Sequence, residues 1–118
     1  MNIEFYRDYC LNLKAVSEHF PFDANTLVFK VGGKMFALCD VNQFESINLK
    51  CDPEWAIELR ELYPESIKPG YHMSKKHWNT IEMDGSINDK LIIELINHSY
   101  DLVLKSLPKK VQEEILNS

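Results

Sequence analysis

The chain has 118 residues, 45% of them hydrophobic and 26% charged, with a net charge of −5. This is the make-up of one globular domain over residues 1–118, able to bury a core without disulfides or metal, and it excludes disorder. The negative balance argues against a dedicated nucleic-acid binder, because phosphate contacts need a positive surface, although local sorting of charge matters more than the sum.

Residues Met1 to Tyr9 carry Glu4, Arg7 and Asp8 where a signal peptide needs an uninterrupted apolar run. No apolar stretch approaches the ~20 residues of a membrane helix, so no membrane partner is expected. Cys10, Cys39 and Cys51 are odd in number and not closely paired, which reads as reduced thiols in a cytoplasmic protein.

Ile3, Tyr6, Cys10, Leu13, Val16 and Phe20 recur at helical spacing and predict an amphipathic helix over residues 3–19, ended by Pro21. A hairpin follows. Thr26 to Val31 and Lys34 to Val41 are rich in β-branched and aromatic residues, and Gly32-Gly33 between them suits a two-residue turn. That turn pairs Val31 with Lys34, Phe29 with Phe36 and Leu27 with Leu38. It predicts a core face of Leu27, Phe29, Phe36 and Leu38, and a half-exposed face of Val28, Lys30, Met35 and Ala37.

Ser46 to Cys51 alternates as a third strand. Asp52-Pro53-Glu54 is a strong helix start, with a capping carboxylate, proline at the first helical position and an acid near the positive end of the dipole. This second helix runs to about Tyr63, before Pro64. Residues 66–76 read as a loop with Pro69-Gly70 as its turn signal, residues 77–83 as a strand, and Asp84-Gly85 as a turn. A long helix starts near Asn88 with a stripe of Ile92, Leu95, Ile96, Ser99, Leu102 and Val103. Pro108 ends it, with one short helical turn to follow. The sum is an α+β fold: a largely antiparallel sheet packed against helices on one face.

Four constellations bear on function. Residues 68–79 hold Lys68, Lys75, Lys76, His72 and His77 without an acid, interleaved with Tyr71 and Trp78. Lysines meet phosphates, and Asn79 or Lys76 reaches base edges in a groove; the plainer reading is a solvated loop whose Trp78 anchors a strand in the core. Lys30, Lys34 and Lys50 extend this to a basic sheet face, or else guard strands against aggregation. Between Thr26 and Thr80 there are seven Lys/Arg and seven Asp/Glu, so a basic patch requires sorting by face, with acids kept on the second helix. Cys39, Cys51, His72 and His77 lack the close spacings of structural zinc sites, so no metal or other cofactor is expected. No phosphate loop, serine elbow or helical histidine pair marks an enzyme.

Lys50-Cys51-Asp52-Pro53-Glu54, the run from Pro69 to Thr80, Ser99-Tyr100-Asp101-Leu102-Val103 and the hairpin Val28 to Leu38 together closely resemble the bacterial MmcQ/YjbR family. The resemblance covers nearly the whole chain. It implies a CyaY-like or double-wing arrangement and a cytoplasmic protein of a kind commonly described as DNA-binding. Frataxin-type relatives of that fold bind iron through acids near the first helix; here Glu4, Asp8 and Glu18 are interrupted by Arg7 and Lys14, so that property does not carry over. The leading expectation is thus a non-catalytic binder of double-stranded DNA. Lys30, Lys34, Lys50, Lys68, Lys75 and Lys76 would contact phosphates, with His77 and Asn79 assisting. The alternative is a protein-interaction or small-ligand module that uses Tyr71, His72, Trp78 and the face with Met35.

Overall fold

In the computed structural model, which describes residues 1–118, the first helix is shorter than its apolar spacing predicts. Helix α1 spans Ile3–Leu11. Asn2 caps it, its Oδ1 accepting from the Phe5 amide at 2.8 Å, and Tyr6 and Cys10 are its buried positions. The chain then breaks at Ala15, whose φ of 60° lies in the left-handed region, and Val16–His19 form strand β1 instead of two further helical turns. Pairing with a neighbouring strand outweighs the local helical spacing here. Glu18 also gains a partner, its carboxylate receiving Arg7 of α1 at 2.6 Å.

Strands β2 (Thr26–Val31) and β3 (Lys34–Asp40) form the expected hairpin. Gly32 and Gly33 have φ of 58° and 80°, the pair of positive values such a turn requires. The register begins as predicted, Val31 opposite Lys34 and Lys30 opposite Met35, and then slips: Phe29 faces Ala37, Val28 faces Leu38 and Leu27 faces Cys39. Phe36 is the extra residue of a β-bulge. The predicted core face is corrected accordingly. Ala37 and Cys39 join Leu27 and Phe29 inside, while Leu38 turns to the other face beside Val28. Phe36 still enters the core, edge-on to Tyr100 at 5.5 Å.

Strand β4 (Ser46–Lys50) leads into α2 (Pro53–Leu62), and the Asp52 carboxylate accepts from the Glu54 and Trp55 amides at its start, both at 3.2 Å. The predicted loop contains a short strand, β5 (Ile67–Pro69), and β6 covers Trp78–Glu82. Helix α3 (Asp89–Ser106) is followed by α4 (Lys109–Leu116), which is two turns long rather than one. All neighbours in the six-stranded sheet are antiparallel, in the order β1-β2-β3-β4-β6-β5.

The helices lie on one face of this sheet. There Tyr6, Phe29, Phe36, Ile47, Leu49, Ile81, Ile92 and Ile96 are buried in one continuous core. Ser99 of α3 ties it to the strands: its hydroxyl donates to the Phe36 carbonyl at 2.5 Å and accepts from the Lys50 amide at 2.9 Å. No helix is long and apolar enough to cross a membrane.

Candidate recognition surface

The face of the sheet away from the helices carries a second, smaller apolar cluster. Val28, Leu38 and Trp78 are buried there, packed under Met35 and Met73. Met73 belongs to the loop of residues 70–77, which folds back over this face.

The loop is held at both ends. Gly70 donates its amide to the Trp78 carbonyl at 2.8 Å, and a Cβ at residue 70 would lie 2.7 Å from the Trp78 Cβ, so only glycine permits this approach. The Tyr71 amide donates to Thr80 Oγ1 at 3.0 Å, and that hydroxyl donates to Asn48 Oδ1 at 2.6 Å. From the helix side, Arg60 of α2 reaches through the sheet edge. Its guanidinium donates to Asn79 Oδ1 at 2.6 Å, to the Trp78 carbonyl at 3.2 Å and to the Lys75 carbonyl.

Between this loop and the segment before β2 lies a groove of about 500 Å³. Phe22 stands at one wall; Tyr71, His72 and Met73 form the other; Leu38 and Asn48 lie in the floor, with Asp40 and Ser46 at one end. Phe22 is 62% exposed and Tyr71 69% exposed, and the Tyr71 and His72 rings lie against each other with centroids 4.0 Å apart. His72 has a φ of 59°, a conformation that turns the chain tightly beside Tyr71. A smaller hollow of about 270 Å³ continues past Tyr71 toward Glu45, Lys68 and Glu82.

Charge on this face is sorted along the strands. At the hairpin-turn end, Lys30 lies opposite Met35 and Lys50 opposite Trp78, and exposed Lys75, Lys76 and His77 follow directly. At the other end, Asp40 lies opposite Thr26 and Glu82 opposite Ser46, with Glu45 adjacent. Lys68 points its ammonium toward Glu82 at 3.7 Å, so it joins the acidic end rather than the basic one. Lys34 is exposed at the turn, but its register partner Val31 faces the helices. The acids Glu54, Glu58 and Glu61 lie on α2, on the helix side.

Two proposed contact residues are corrected. Trp78 is only 7% exposed, because Met73 and the returning loop cover its ring. Asn79 is 2% exposed and lies opposite Leu49, on the helix face, with its oxygen held by Arg60. Neither is available to a base edge or a protein partner. Lys30, Lys50, Lys75, Lys76, Tyr71, His72 and His77 remain at the surface or part-exposed. Phe22, Asp40, Asn48 and Arg60 were missed. Phe22 adjoins Pro21, which reads as a helix end, and the other three sit at ordinary alternating or helical positions.

All three thiols are buried and protonated at neutral pH. Burial pushes Cys39 up to about 12 and Cys51 up to about 11, with neighbouring Asp40 and Asp52 adding to the effect, and it raises Cys10 further. No three or more His, Cys, Asp or Glu side chains are grouped to hold a metal ion.

The family model described as YjbR matches residues 11–102. The chain belongs to the YjbR family. Among its relatives in that family, the "Uncharacterized protein YbdF" of Escherichia coli O157:H7 is 42% identical over 106 residues, covering 89% of this chain and 86% of that protein. The YjbR protein of Escherichia coli K12 is 30% identical over 111 residues, covering 93% of each. The crystal structure of a Deinococcus radiodurans protein with a DUF419 domain superposes with a TM-score of 0.92 at 43% identity, covering 97% of this chain and 87% of that one. A Pseudomonas syringae crystal structure gives 0.70 at 28% identity, covering 87% of this chain and 99% of that one. The family's matched span includes the hairpin, the loop of residues 70–77 and most of α3, and thus both walls of the groove.

Proposed function

We propose that the chain is a non-catalytic protein-recognition module that binds through the open face of its sheet. The observation that carries this reading is the groove with Phe22 and Tyr71, both largely exposed, on opposite walls. Large aromatic rings at a preformed concavity are the anchors from which protein interfaces draw most of their energy. The loop that presents Tyr71 is fixed by Arg60, Gly70 and Thr80, so little ordering cost accompanies binding. The buried, protonated thiols are poor nucleophiles, which favours binding over covalent catalysis.

The test is capture of a stoichiometric protein partner by the wild-type chain and by Tyr71→Ala and Phe22→Ala, with unfolding curves run in parallel. Loss of the partner from both variants at unchanged stability is the expected result. Retention of the partner by both variants overturns the reading.

Duplex DNA is the second reading, favoured by the collection of Lys30, Lys50, Lys75 and Lys76 at one end of the open face. It requires retention of duplex DNA at about 50 mM salt that falls steeply as salt rises. Lys75→Ala with Lys76→Ala would weaken that retention on all sequences alike. Retention that is absent or indifferent to salt removes DNA from consideration.

A further inference from the structure

The groove and its aromatic walls sit at the acidic end of the open face. Asp40 lies at the end of the groove itself, and Glu45 and Glu82 line the hollow that continues past Tyr71. Asp23 adjoins them: it follows Phe22 in the chain, and its Oδ2 accepts from Thr26 Oγ1 at 3.3 Å. Hydrogen bonds from the Asn25 and Thr26 amides hold its carboxyl below the usual carboxylate range. Lys68, 3.7 Å from Glu82, offsets one of these four charges. An anion is therefore repelled from the groove and a cation is drawn to it. Asp40 is also set in advance. Its Oδ2 accepts from the Gln43 and Phe44 amides at 3.1 and 3.0 Å, and its Oδ1 from the Glu45 amide at 3.2 Å. A charge fixed by its own backbone loses little freedom when a partner arrives.

The walls narrow the choice of cation. The face of an aromatic ring attracts a positive charge, and a planar guanidinium can also stack on it, whereas an ammonium is more strongly hydrated and gains less. Leu38 and Met73 offer apolar surface to a methylene stem. The volume of about 500 Å³ has room for one long side chain and the backbone beside it. We propose that the groove takes an arginine side chain from an extended segment of a partner protein. Its stem lies along Leu38 and Met73, its guanidinium rests against Tyr71, and its charge faces Asp40 and Glu45. The proposal rests on the protein-recognition reading above and names the chemistry of the partner.

The deciding experiment is a titration of the isotope-labelled full chain, followed by amide NMR shifts, with a blocked pentapeptide added to about 5 mM. Its central residue is arginine, with leucine on either side and glycine at each end. A second peptide carries citrulline, which keeps the planar shape without the charge, and a third carries lysine. The arginine peptide should shift the amides of Phe22, Leu38, Asn48 and residues 71–73. Citrulline should weaken binding by at least about tenfold, and lysine by a smaller factor. Raising salt should weaken the arginine peptide and leave the citrulline peptide unchanged. In Glu45→Gln with Glu82→Gln, at exposed and half-exposed positions, the gap between arginine and citrulline should shrink severalfold. An unfolding curve checks that this variant keeps its stability.

An arginine peptide that leaves these amides unmoved, or moves only others, overturns the proposal. Equal binding of the arginine and citrulline peptides overturns the cation, and equal binding of arginine and lysine overturns the stacked guanidinium. In each case the protein-recognition reading is still judged by the Tyr71→Ala and Phe22→Ala captures, so the two can fail separately.

Discussion

Arg60 reads in the sequence as a helix residue near the C-terminal end of α2, a position where a positive charge suits the dipole. Its structural role is different: it is the tether that joins the helix layer to the loop on the opposite face. Three acceptors, Asn79 Oδ1 and the carbonyls of Lys75 and Trp78, depend on its guanidinium. Asn79 is fully enclosed, and its amide nitrogen has no partner, so the guanidinium is all that satisfies this side chain. Arg60→Met should therefore cost about 2–3 kcal/mol in urea unfolding, because it leaves a buried acceptor unpaired. Arg60→Lys should recover little, since an ammonium cannot reproduce the planar fork. Arg60→Met combined with Asn79→Leu should return most of the loss, because the stranded polar group is gone. Additive costs for the double variant would refute the pairing. The alternation of β6 does place Trp78 and Asn79 on opposite faces. It could not tell which residue was exposed, because helices cover one face at this point and a loop covers the other.

At the scale of elements, the start of α2 was legible in Asp52-Pro53-Glu54, but what holds that start to the rest of the fold was not. The backbone amide of Asp52 donates to His98 Nε2 of α3 at 3.0 Å, and the His98 ring stands edge-on to Trp55 with centroids 4.6 Å apart. This contact needs a neutral imidazole. Burial lowers the His98 pKa from its ordinary value, against the opposing pull of Asp52, Asp101 and Glu94. Above the unfolded value of about 6.5 the folded and unfolded chains bind the same number of protons at this site. Below it the unfolded chain gains a proton that the folded chain resists, so this contribution to stability is lost as pH falls from there through the lowered folded value. The urea midpoint should thus drop between pH 7 and pH 5.5, and His98→Gln should flatten that drop. An unchanged slope in the variant would assign the effect to other groups. The remaining element-level misses share one cause. Residues 16–19 have helical spacing but gain a partner strand, and the bulge at Phe36 contains no glycine to mark it. Both depend on contacts distant in sequence, which local periodicity does not encode.

For the whole molecule, one sheet serves two apolar clusters of very unequal size. The larger joins the helices to Leu27, Phe29 and Val31; the smaller rests on Val28, Leu38 and Trp78. Successive residues of β2 alternate between them, so the same backbone supports both. The open face therefore cannot lose its packing as a unit while the helix face keeps its own. The two tryptophans report the two sides separately: Trp55 is packed against the helix-side core, and Trp78 is buried under Met73. In Trp78→Phe the fluorescence reports the helix side, and in Trp55→Phe it reports the open face. Each transition in urea should coincide with the loss of helical circular dichroism of the same variant, as a single cooperative unit requires. The slopes against urea should also match, since both variants expose the same surface on unfolding. Earlier loss of the Trp78 signal would mean that the loop and its three-residue cluster open before the sheet does. The groove would then exist in only part of the folded population, and any partner that needs it would bind correspondingly more weakly.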